Sequence, residues 1–418
     1  MDVSRLVRDI CVSARDASLS LARASTADKD RALEAIAAGL ENDRAVIQAE
    51  NEKDLDHGRQ AGLSASMLDR LRLDDRRMKA MIQGVREVIA LKDPVGRVYD
   101  TRVRPNGLKI YKLTVPIGVI GIIYESRPNV TVDASILTLK TSNAVILRGG
   151  SESINSNLAL AATMGVALES AGLPRSSIQV LPTTDRAAVG ALLKMDELVD
   201  LIIPRGGEEL IRRVVAESTI PVIKHYNGIC HVYVDRAANL EMASDIVMNA
   251  KVQRPGVCNA METLLVDSRV AERFLPLVLP RLRQAGVKLA GCERSRVIDP
   301  QMEAATEQDW KTEYLDLVLS VRVVDGLEGA VGHINRYGSR HTDAIVTQNA
   351  RTAREFVKRV DSSSVMVNAS TRFSDGGQYG LGAEIGISTD KLHARGPMGL
   401  AELTTYKWVV MGKGQLRE

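Results

Sequence analysis

Cysteine is scarce in this sequence, and no two cysteines stand close together. The four are Cys11, Cys230, Cys258 and Cys292, and no pair has the Cys-x-x-Cys spacing of a zinc ribbon. The wide separation also argues against a disulfide framework. It is typical of a protein from a reducing compartment.

The sequence also lacks a long apolar run and an excess of one charge. Charged residues such as Arg5, Arg8 and Asp9 interrupt the apolar positions near the N-terminus, which argues against a signal peptide. No stretch is long and uncharged enough to span a bilayer. The 55 Lys and Arg against 52 Asp and Glu give 55 − 52 = +3, with both signs interspersed. We therefore expect a cytoplasmic protein with neither nucleic acid nor membrane as a partner.

The order of the hydrophobic patterns predicts the fold. A chain of 418 residues exceeds the about 250–300 residues that one core supports, so at least two domains are expected. Residues 1–93 have helical spacing, and residues 97–116 predict a hairpin around a Pro-Asn-Gly turn. Strand and helix patterns alternate from Ile117, and a second alternating unit begins near Ile229. This alternation predicts an α/β fold with two doubly wound parallel sheets.

Three further segments carry expectations about local structure. PVIKHY (221–226) predicts a strand, and TTYKWVVM (404–411) predicts the closing strand. FSDGGQYGLGAEIGIS (373–388) is rich in glycine and predicts a long ordered loop.

Two Arg-Gly-Gly turns are candidates for phosphate binding. Each lies between a predicted strand and a predicted helix, with glycines at Gly149-Gly150 and Gly206-Gly207. Such a turn offers backbone N–H groups to an anion, although neither has the GxGxxG pattern and both could serve helix–strand packing alone. Arg148 at a strand end is a residue type that accommodates a 2′-phosphate.

Cys258 is the cysteine with the most unusual position. In QRPGVCNAMETLLV (253–266) it stands on a turn before a predicted buried strand. A thiol with a pKa of about 8.5 is only about 3% thiolate at pH 7, so a nucleophilic role requires a nearby cation or N–H donor. Asn259 and Arg254 are the local candidates. The other cysteines lack such neighbours and are interpreted as structural.

The histidines show no metal-binding spacing. No HExxH or similar motif occurs, which argues against a metal site. A Cys–His hydrolase would need a histidine beside Cys258, and the sequence leaves that open.

Seven segments share a family pattern, at 116–134, 143–153, 253–266, 312–324, 338–347, 363–373 and 380–408. They resemble the aldehyde dehydrogenase superfamily, and closely its glutamate-5-semialdehyde dehydrogenase branch. The resemblance covers nearly the whole chain. It implies an aldehyde-dehydrogenase-like fold and an NADPH-dependent reduction of L-glutamyl 5-phosphate to L-glutamate 5-semialdehyde and phosphate through a cysteine thioester, the second step of proline biosynthesis.

The resemblance implies a role for individual residues. Cys258 is similar to the family nucleophile, and Asn129 to the asparagine that donates to the oxyanion. Glu313 is similar to the glutamate that holds the nicotinamide ribose, and Arg148 replaces a lysine that contacts the adenosine ribose or its phosphate. His225 takes the place of the glutamate that activates water in hydrolytic members, so that base is missing.

The missing base fits acyl-phosphate reduction, in which no water needs activation. Arg127 and Arg254 are candidates for binding phosphate, with an ion-pair role as the alternative. Asn368, Ser370 and Thr371 are candidates for the amino and carboxylate groups of the substrate, with a purely structural loop as the alternative.

The resemblance also implies domains and partners. A cofactor-binding domain is expected at 1–96 and 117–228, a catalytic domain at 229–399, and a projecting β-flap for oligomerisation at 97–116 and 400–418. We expect a homodimer or a larger homo-oligomer, with the upstream glutamate kinase as a further partner. The alternatives are another acyl-phosphate or acyl-CoA reductase, a non-catalytic member of the fold, and a cysteine acyl hydrolase with His225 as its base.

Overall fold

The computed structural model describes residues 2–417. These residues form two compact units. Of these residues, unit 1 contains 2–224, 380–386 and 398–417, and unit 2 contains 225–379 and 387–397.

Unit 1 begins with five helices, in the region 1–93 whose apolar spacing predicts helical structure. Side chains at their first turns explain where they start: Ser25 and Asp28 form a reciprocal capping box, and Asp74 accepts a hydrogen bond from the Arg77 N–H. The helices are α1 (Val3–Leu21), α2 (Thr26–Asn42), α3 (Arg44–Gln60), α4 (Ala65–Leu71) and α5 (Asp75–Ala90).

A three-stranded antiparallel sheet follows. Strands β1 (Val98–Val103) and β2 (Lys109–Pro116) form the hairpin, and the C-terminal strand Thr404–Met411 pairs along β2. Lys112 on β2 lies over the rings of Tyr406 and Trp408, at 4.5 and 4.9 Å from their centroids. Neither outer strand pairs with a further strand among the described residues, so this sheet has two open edges, and both outer strands carry exposed side chains.

The main sheet of unit 1 is parallel and has the order β5-β4-β3-β6. Its inner strands are mostly buried β-branched and aliphatic residues, as expected when helices cover both faces. The strands are β3 (Val119–Tyr124), β4 (Ala144–Arg148), β5 (Ile178–Val180) and β6 (Leu201–Arg205), and the helices are α6 (Asn129–Lys140), α7 (Ile154–Ser170), α8 (Ala187–Leu192) and α9 (Glu208–Glu217).

The predicted strand at 221–226 is wrong. This segment pairs with Ile202 through one isolated parallel bridge at Val222 and then leaves the sheet. Pro204 of the sheet strand Leu201–Arg205 has no N–H to donate to the chain after Val222, so the ladder cannot extend beyond that bridge. The predicted loop at 373–388 is largely irregular, with a two-residue strand at Ile387–Ser388.

Unit 2 is built on a seven-stranded parallel sheet with the order β10-β9-β11-β8-β7-β12-β13. The strands are β7 (Cys230–Val234), β8 (Met261–Asp267), β9 (Lys288–Gly291), β10 (Glu303–Ala304), β11 (Val318–Val324), β12 (Thr342–Val346) and β13 (Ser364–Val367). The helices are α10 (Leu240–Val252), α11 (Ala271–Gln284), α12 (Glu293–Ile298), α13 (Gly326–Tyr337) and α14 (Ala350–Arg359).

Alternation along these strands creates two separate cores. Val232 and Val234 of β7 pack into the cluster that also contains residues of α10 and α11. Tyr233 between them packs with Ile334 of α13 and Phe356 of α14. Successive side chains of a strand point to opposite faces, and helices pack against each face of this sheet. The predicted α/β fold with doubly wound parallel sheets is confirmed. Within the described residues, no helix has the length and apolarity needed to cross a membrane.

Candidate active site

Cys258 lies on the loop between α10 and β8 in unit 2. The end of this loop is a turn in which the Ala260 N–H donates to the Val257 carbonyl over 3.0 Å. Cys258 is a free, half-buried thiol on this irregular backbone. Its sulfur is therefore not enclosed within the strand that follows.

Two histidines stand beside the Cys258 sulfur. One ligand atom from each of His225, Cys258 and His341 lies within 4.8 Å of the others. The imidazole rings meet edge to face with centroids 5.5 Å apart. His341 is buried, and its Nδ1 lies 2.9 Å from Oγ1 of Thr342, whereas His225 is half-buried. An imidazole this close to a thiol can accept its proton and stabilise the thiolate.

The sheet order explains why these residues meet. His225 comes shortly before β7, Cys258 shortly before β8, and His341 directly before β12. The three strands are neighbours in the order β8-β7-β12. Because parallel neighbours begin at the same edge of a sheet, the chain gathers the three residues at the amino ends of these strands.

Cys230, the first residue of β7, contacts the backbone of the Cys258 loop. Its Sγ donates to the Cys258 carbonyl oxygen over 3.2 Å and lies 3.8 Å from His341 Nδ1. Burial raises the pKa of this thiol well above its ordinary value, and the Asp343 charge acts in the same direction. Cys230 therefore remains protonated and holds the backbone of Cys258.

Gly228 brings the segment of His225 against the Cys258 loop. A Cβ at this position would overlap the Cys258 carbonyl group, so only glycine allows this close approach. The Gly228 N–H donates to the Glu313 carboxylate over 2.8 Å. Glu313, which the resemblance assigns to the cofactor ribose, thus contacts the backbone beside Cys258.

Asn259 and Arg372 hold the other side of the loop. The Asn259 amide donates to the Ser374 carbonyl over 2.8 Å and accepts from the Arg372 guanidinium, which also donates to Gln253 over 2.9 Å. Burial first, and the Arg254 cation second, lower the pKa of Arg372. Asn259 therefore fixes the loop, and Arg372 places a cation beside it.

A buried ion pair joins the two elements that flank the loop. Lys251 near the end of α10 lies 2.6 Å from Glu262 of β8, and both side chains are fully buried. Burial raises the pKa of Glu262 to about 7 and lowers the pKa of Lys251, while each partner's charge opposes that change in the other. The pair ties α10 to β8 on either side of Cys258.

In unit 1, the first Arg-Gly-Gly turn follows β4. Arg148 donates to the carbonyls of Gly149 and Thr184 over 2.8 and 3.2 Å, and burial lowers its pKa. Its Nε is buried with no hydrogen-bond partner among the described residues. A Cβ at Gly150 would overlap the Glu152 carboxylate, so that turn is packed tightly.

The second Arg-Gly-Gly turn differs from expectation. Its N–H groups were expected to be free for an anion, but the Gly207 N–H donates to the Glu125 carboxylate over 2.9 Å. The first turn has a similar neighbour, since Glu152 accepts the Ser126 N–H over 2.9 Å. Glu125 and Ser126 follow β3, between the two turns in the sheet. A carboxylate of the protein therefore satisfies a donor that sequence reasoning left open.

Asn129 is the first residue of α6, also in unit 1. Its Nδ2 donates to Asp133 over 2.9 Å, one helical turn later. Burial raises the pKa of Asp133 to about 6, and the Asn129 hydrogen bond opposes the rise. A primary amide has two N–H donors, so one remains for another acceptor. Arg127 is exposed on the preceding loop.

A sequence profile of the aldehyde dehydrogenase family matches residues 4–309. The chain belongs to the aldehyde dehydrogenase family. The gamma-glutamyl phosphate reductase of Moorella thermoacetica is 56% identical over 418 residues, covering 100% of both chains. The crystal structure of gamma-glutamyl phosphate reductase from Thermotoga maritima has 47% identity and a TM-score of 0.97, covering 99% of this chain and 100% of its own. An acetylating aldehyde dehydrogenase from Geobacillus thermoglucosidasius shares the fold, with 18% identity and a TM-score of 0.70 over 100% of this chain and 98% of its own. The predicted aldehyde-dehydrogenase-like fold is confirmed.

Among the residues predicted for the substrate of this family member, Asn368 has a clear local role. Its side chain accepts from the Thr347 N–H and donates to the Thr347 carbonyl, both over 2.9 Å. Ser370 accepts from the Arg372 N–H, and Thr371 is buried. Their contact with a substrate stays a prediction.

His341 and Arg372 were missed as site residues. Both stand far from Cys258 in the sequence, and no linear motif joins them to it. The position of His341 could have indicated it, because this residue directly precedes a predicted strand and Cys258 also lies shortly before one. Arg372 follows the predicted substrate residues Ser370 and Thr371, and only its charge distinguished it.

Proposed function

We propose that this chain reduces L-glutamyl 5-phosphate to L-glutamate 5-semialdehyde and phosphate with NADPH, as the second step of proline biosynthesis. The observation that carries the proposal is the half-buried Cys258 thiol beside two imidazoles. The 56% identity to a gamma-glutamyl phosphate reductase over the full chain supports the choice of substrate.

The first step is attack by Cys258. His225 or His341 accepts the thiol proton, and the sulfur forms a bond to the acyl carbon of the substrate. The carbonyl oxygen becomes an oxyanion, for which the second N–H of the Asn129 amide is our proposed donor. When the carbonyl re-forms, the bond to phosphate breaks and a thioester remains on Cys258.

The released phosphate needs cations. Arg254 is exposed on the same loop as Cys258. Arg372 lies close enough to Arg254 that the Arg254 charge lowers the pKa of Arg372. We assign phosphate binding to Arg254, with Arg372 beside it and Arg127 as a third candidate. Guanidinium groups suit this role because their fork of donors matches phosphate oxygens.

The thioester is then reduced to a hemithioacetal, which collapses to the aldehyde and returns the Cys258 thiolate. NADPH supplies the hydride when bound. Arg148 is our proposed ligand of its 2′-phosphate, and the unpartnered Nε of this residue supports a ligand there. Gly149, Gly150, Gly206 and Gly207 would allow close approach of the cofactor, and Glu313 would hold its ribose.

The assembly belongs to the same proposal. We propose a cofactor-binding domain at 1–96 and 117–228, a catalytic domain at 229–399, and a cytoplasmic homo-oligomer joined by the β-flap, with glutamate kinase as a further partner. The two open edges of the three-stranded sheet support strand pairing with another subunit. Light scattering after size exclusion that gives a monomer at micromolar concentration would contradict the oligomer.

A cysteine acyl hydrolase is the second candidate. The imidazoles beside Cys258 match the nucleophile–base arrangement of such enzymes. The two candidates differ in the second half-reaction, because a hydrolase needs water and no nicotinamide.

The deciding experiment follows reduction of NADP⁺ by the purified protein with glutamate 5-semialdehyde, with and without phosphate. The reductase requires both semialdehyde and phosphate and forms glutamyl phosphate. Release of glutamate from an activated ester without any nicotinamide would favour the hydrolase. Activity in neither assay would contradict both.

A further inference from the structure

The cluster of His225, Cys258 and His341 has a second chemical property. Its three ligand atoms come from separate segments of unit 2 and lie within 4.8 Å of one another. We propose that these residues form a binding site for a thiophilic divalent metal such as Zn²⁺, and that the bound metal blocks the nucleophile.

The ligand types define which metals suit the site. Thiolate and imidazole are the preferred ligands of Zn²⁺, whereas Mg²⁺ and Ca²⁺ require oxygen ligands. The three residues offer one sulfur and two nitrogens and no oxygen. Arg254 and Arg372 nearby disfavour a cation that is held by charge alone. The site should therefore select for bonds to sulfur, which favours Zn²⁺ or Co²⁺ over Mg²⁺.

The geometry requires only a small adjustment. Zn–S bonds of about 2.3 Å and Zn–N bonds of about 2.0–2.1 Å at tetrahedral angles place ligand atoms roughly 3.3–3.7 Å apart. Separations of at most 4.8 Å must therefore shorten by no more than about 1.5 Å. His225 and Cys258 are half-buried and lie outside regular structure, so their side chains can turn toward a metal.

His341 provides the fixed part of the site. It is buried, and its Nδ1 lies 2.9 Å from the Thr342 hydroxyl. Metal-binding histidines almost always have such an outer hydrogen bond, which orients the ring. Three protein ligands leave a fourth position for water or an anion, as in open zinc sites.

Metal binding has a defined balance. The Cys258 thiol loses its proton to solvent, a metal–sulfur bond forms, and no electrons are transferred. The thiolate can then no longer attack an acyl carbon. The inhibitory effect rests on the proposed function of Cys258, whereas binding itself does not, so the two can fail separately.

The test uses tag-free, chelator-treated full-length protein and Co²⁺ as the probe. A tetrahedral site with a thiolate gives a sulfur-to-cobalt charge-transfer band, which Zn²⁺ should remove by displacement. We expect about one Co²⁺ per chain by equilibrium dialysis, no competition from Mg²⁺, and protection by Zn²⁺ against thiol alkylation. Zn²⁺ should inhibit the reductase at the same stoichiometry.

Variants separate this site from other cysteines. Cys258→Ala should remove the band, while Cys292→Ala should leave it unchanged. Cys292 is the matched control because it is also half-buried, and hydrogen bonds such as that from the Val323 N–H lower its pKa against the effect of burial. His225→Ala should weaken Co²⁺ binding by about tenfold or more, since even the loss of an outer-shell partner costs about 10–100-fold.

His341→Ala should weaken binding by at least as much as His225→Ala, but His341 is buried and its loss can impair folding. Co²⁺ binding by His225→Ala then decides the outcome, because His225 is only half-buried. A charge-transfer band that survives in Cys258→Ala, or equal affinity in His225→Ala and the unmodified protein, would overturn the site. A reductase that is active but binds no Co²⁺ would overturn the metal proposal and leave the proposed function intact.

Discussion

Two groups of candidate functional residues, one in each unit, lie at opposite ends of their own sheets. In unit 1, both Arg-Gly-Gly turns and Glu125 follow the carboxyl ends of β4, β6 and β3. In unit 2, His225, Cys258 and His341 precede the amino ends of β7, β8 and β12. The usual rule that ligands bind at the carboxyl ends of parallel strands therefore describes the first group only.

The difference has an electrostatic consequence. Helices that follow a strand begin near its carboxyl end, where their N-termini favour anions, and unit 1 directs carboxylates there. At the amino ends of unit 2 the chain arrives from helix C-termini, such as the end of α10, which disfavour a thiolate. Cys258 must then obtain its stabilisation from side chains, and the imidazoles and arginines beside it are those available.

The largest effect should come from Cys258→Ala. Turnover should fall on the order of 10⁴-fold or more, because the nucleophile is lost. NADPH binding and the melting temperature should change little, because the thiol is half-exposed. A loss of many degrees would instead indicate a core cysteine, since cavities typically cost about 2–5 kcal/mol.

Cys230→Ala is the control for that variant. This thiol is fully buried and donates a hydrogen bond to the Cys258 carbonyl oxygen. Turnover should stay within about tenfold, because a neutral hydrogen bond contributes ~0.5–1.5 kcal/mol. Equal losses of turnover in both variants would remove the distinction between the two thiols.

His225→Glu tests whether unit 2 lacks a strong base for water. The glutamate should activate water against the thioester, and general base catalysis typically contributes about 10²–10⁴-fold. Glutamate formation from the semialdehyde in phosphate-free buffer should rise, and the phosphate-dependent reaction should slow because the carboxylate repels the anion. Product analysis with and without phosphate measures both.

His225→Gln, which has no charge, is the control and should leave glutamate formation low. The idea fails if the unmodified protein already releases glutamate at a comparable rate without phosphate. Water would then be activated by another group, and the imidazoles would be the first candidates.

Lys251→Met tests the buried ion pair that supports the Cys258 loop. Glu262 would remain buried without its partner, so the free energy of unfolding should fall by about 3–5 kcal/mol. Denaturant unfolding measures this. The double variant Lys251→Met with Glu262→Leu should recover much of the loss, because it removes both charges.

The matched control lies on the surface of unit 1. The Arg212–Glu208 pair of α9 is exposed, so Glu208→Ala should cost no more than about 0.5 kcal/mol. A loss in Lys251→Met as small as this would show that the buried pair does not hold the loop.

The sequence predicted the fold well because its signals are local. Alternation in β7 places Val232 and Tyr233 on opposite faces, and the Asn239 side chain, three residues away from the N–H that it accepts, caps α10. PVIKHY failed because strand propensity alone does not supply a partner for the ladder. The strand requires pairing beyond Ile202, and that is a tertiary property.

The site was predictable only in part, for a similar reason. The turn at Cys258 is visible in the sequence, whereas the roles of Asn129 and Glu313 come from the family resemblance and stay predictions. The neighbourhood of His341 depends on strand order, and the contact from Glu125 to the Gly207 N–H depends on adjacent strand ends. Such contacts between distant segments leave no mark on either segment alone.

The smallest effect is expected at Arg148 in unit 1. Its Nη atoms donate to backbone carbonyls, while its Nε has no partner among the described residues. If the Arg148 guanidinium contacts the 2′-phosphate, Arg148→Ala should weaken NADPH binding by about tenfold or more, because a charge-assisted hydrogen bond contributes roughly 1.5–3 kcal/mol. NADH has no 2′-phosphate, so its affinity should change little. Fluorescence titration with both cofactors gives the ratio, and Arg205→Ala, at the corresponding place on β6, is the matched control. Equal weakening of NADPH and NADH binding would mean that Arg148 only supports its turn through Gly149 and Thr184. Any preference for NADPH at the carboxyl ends of the unit 1 strands would then come from another residue.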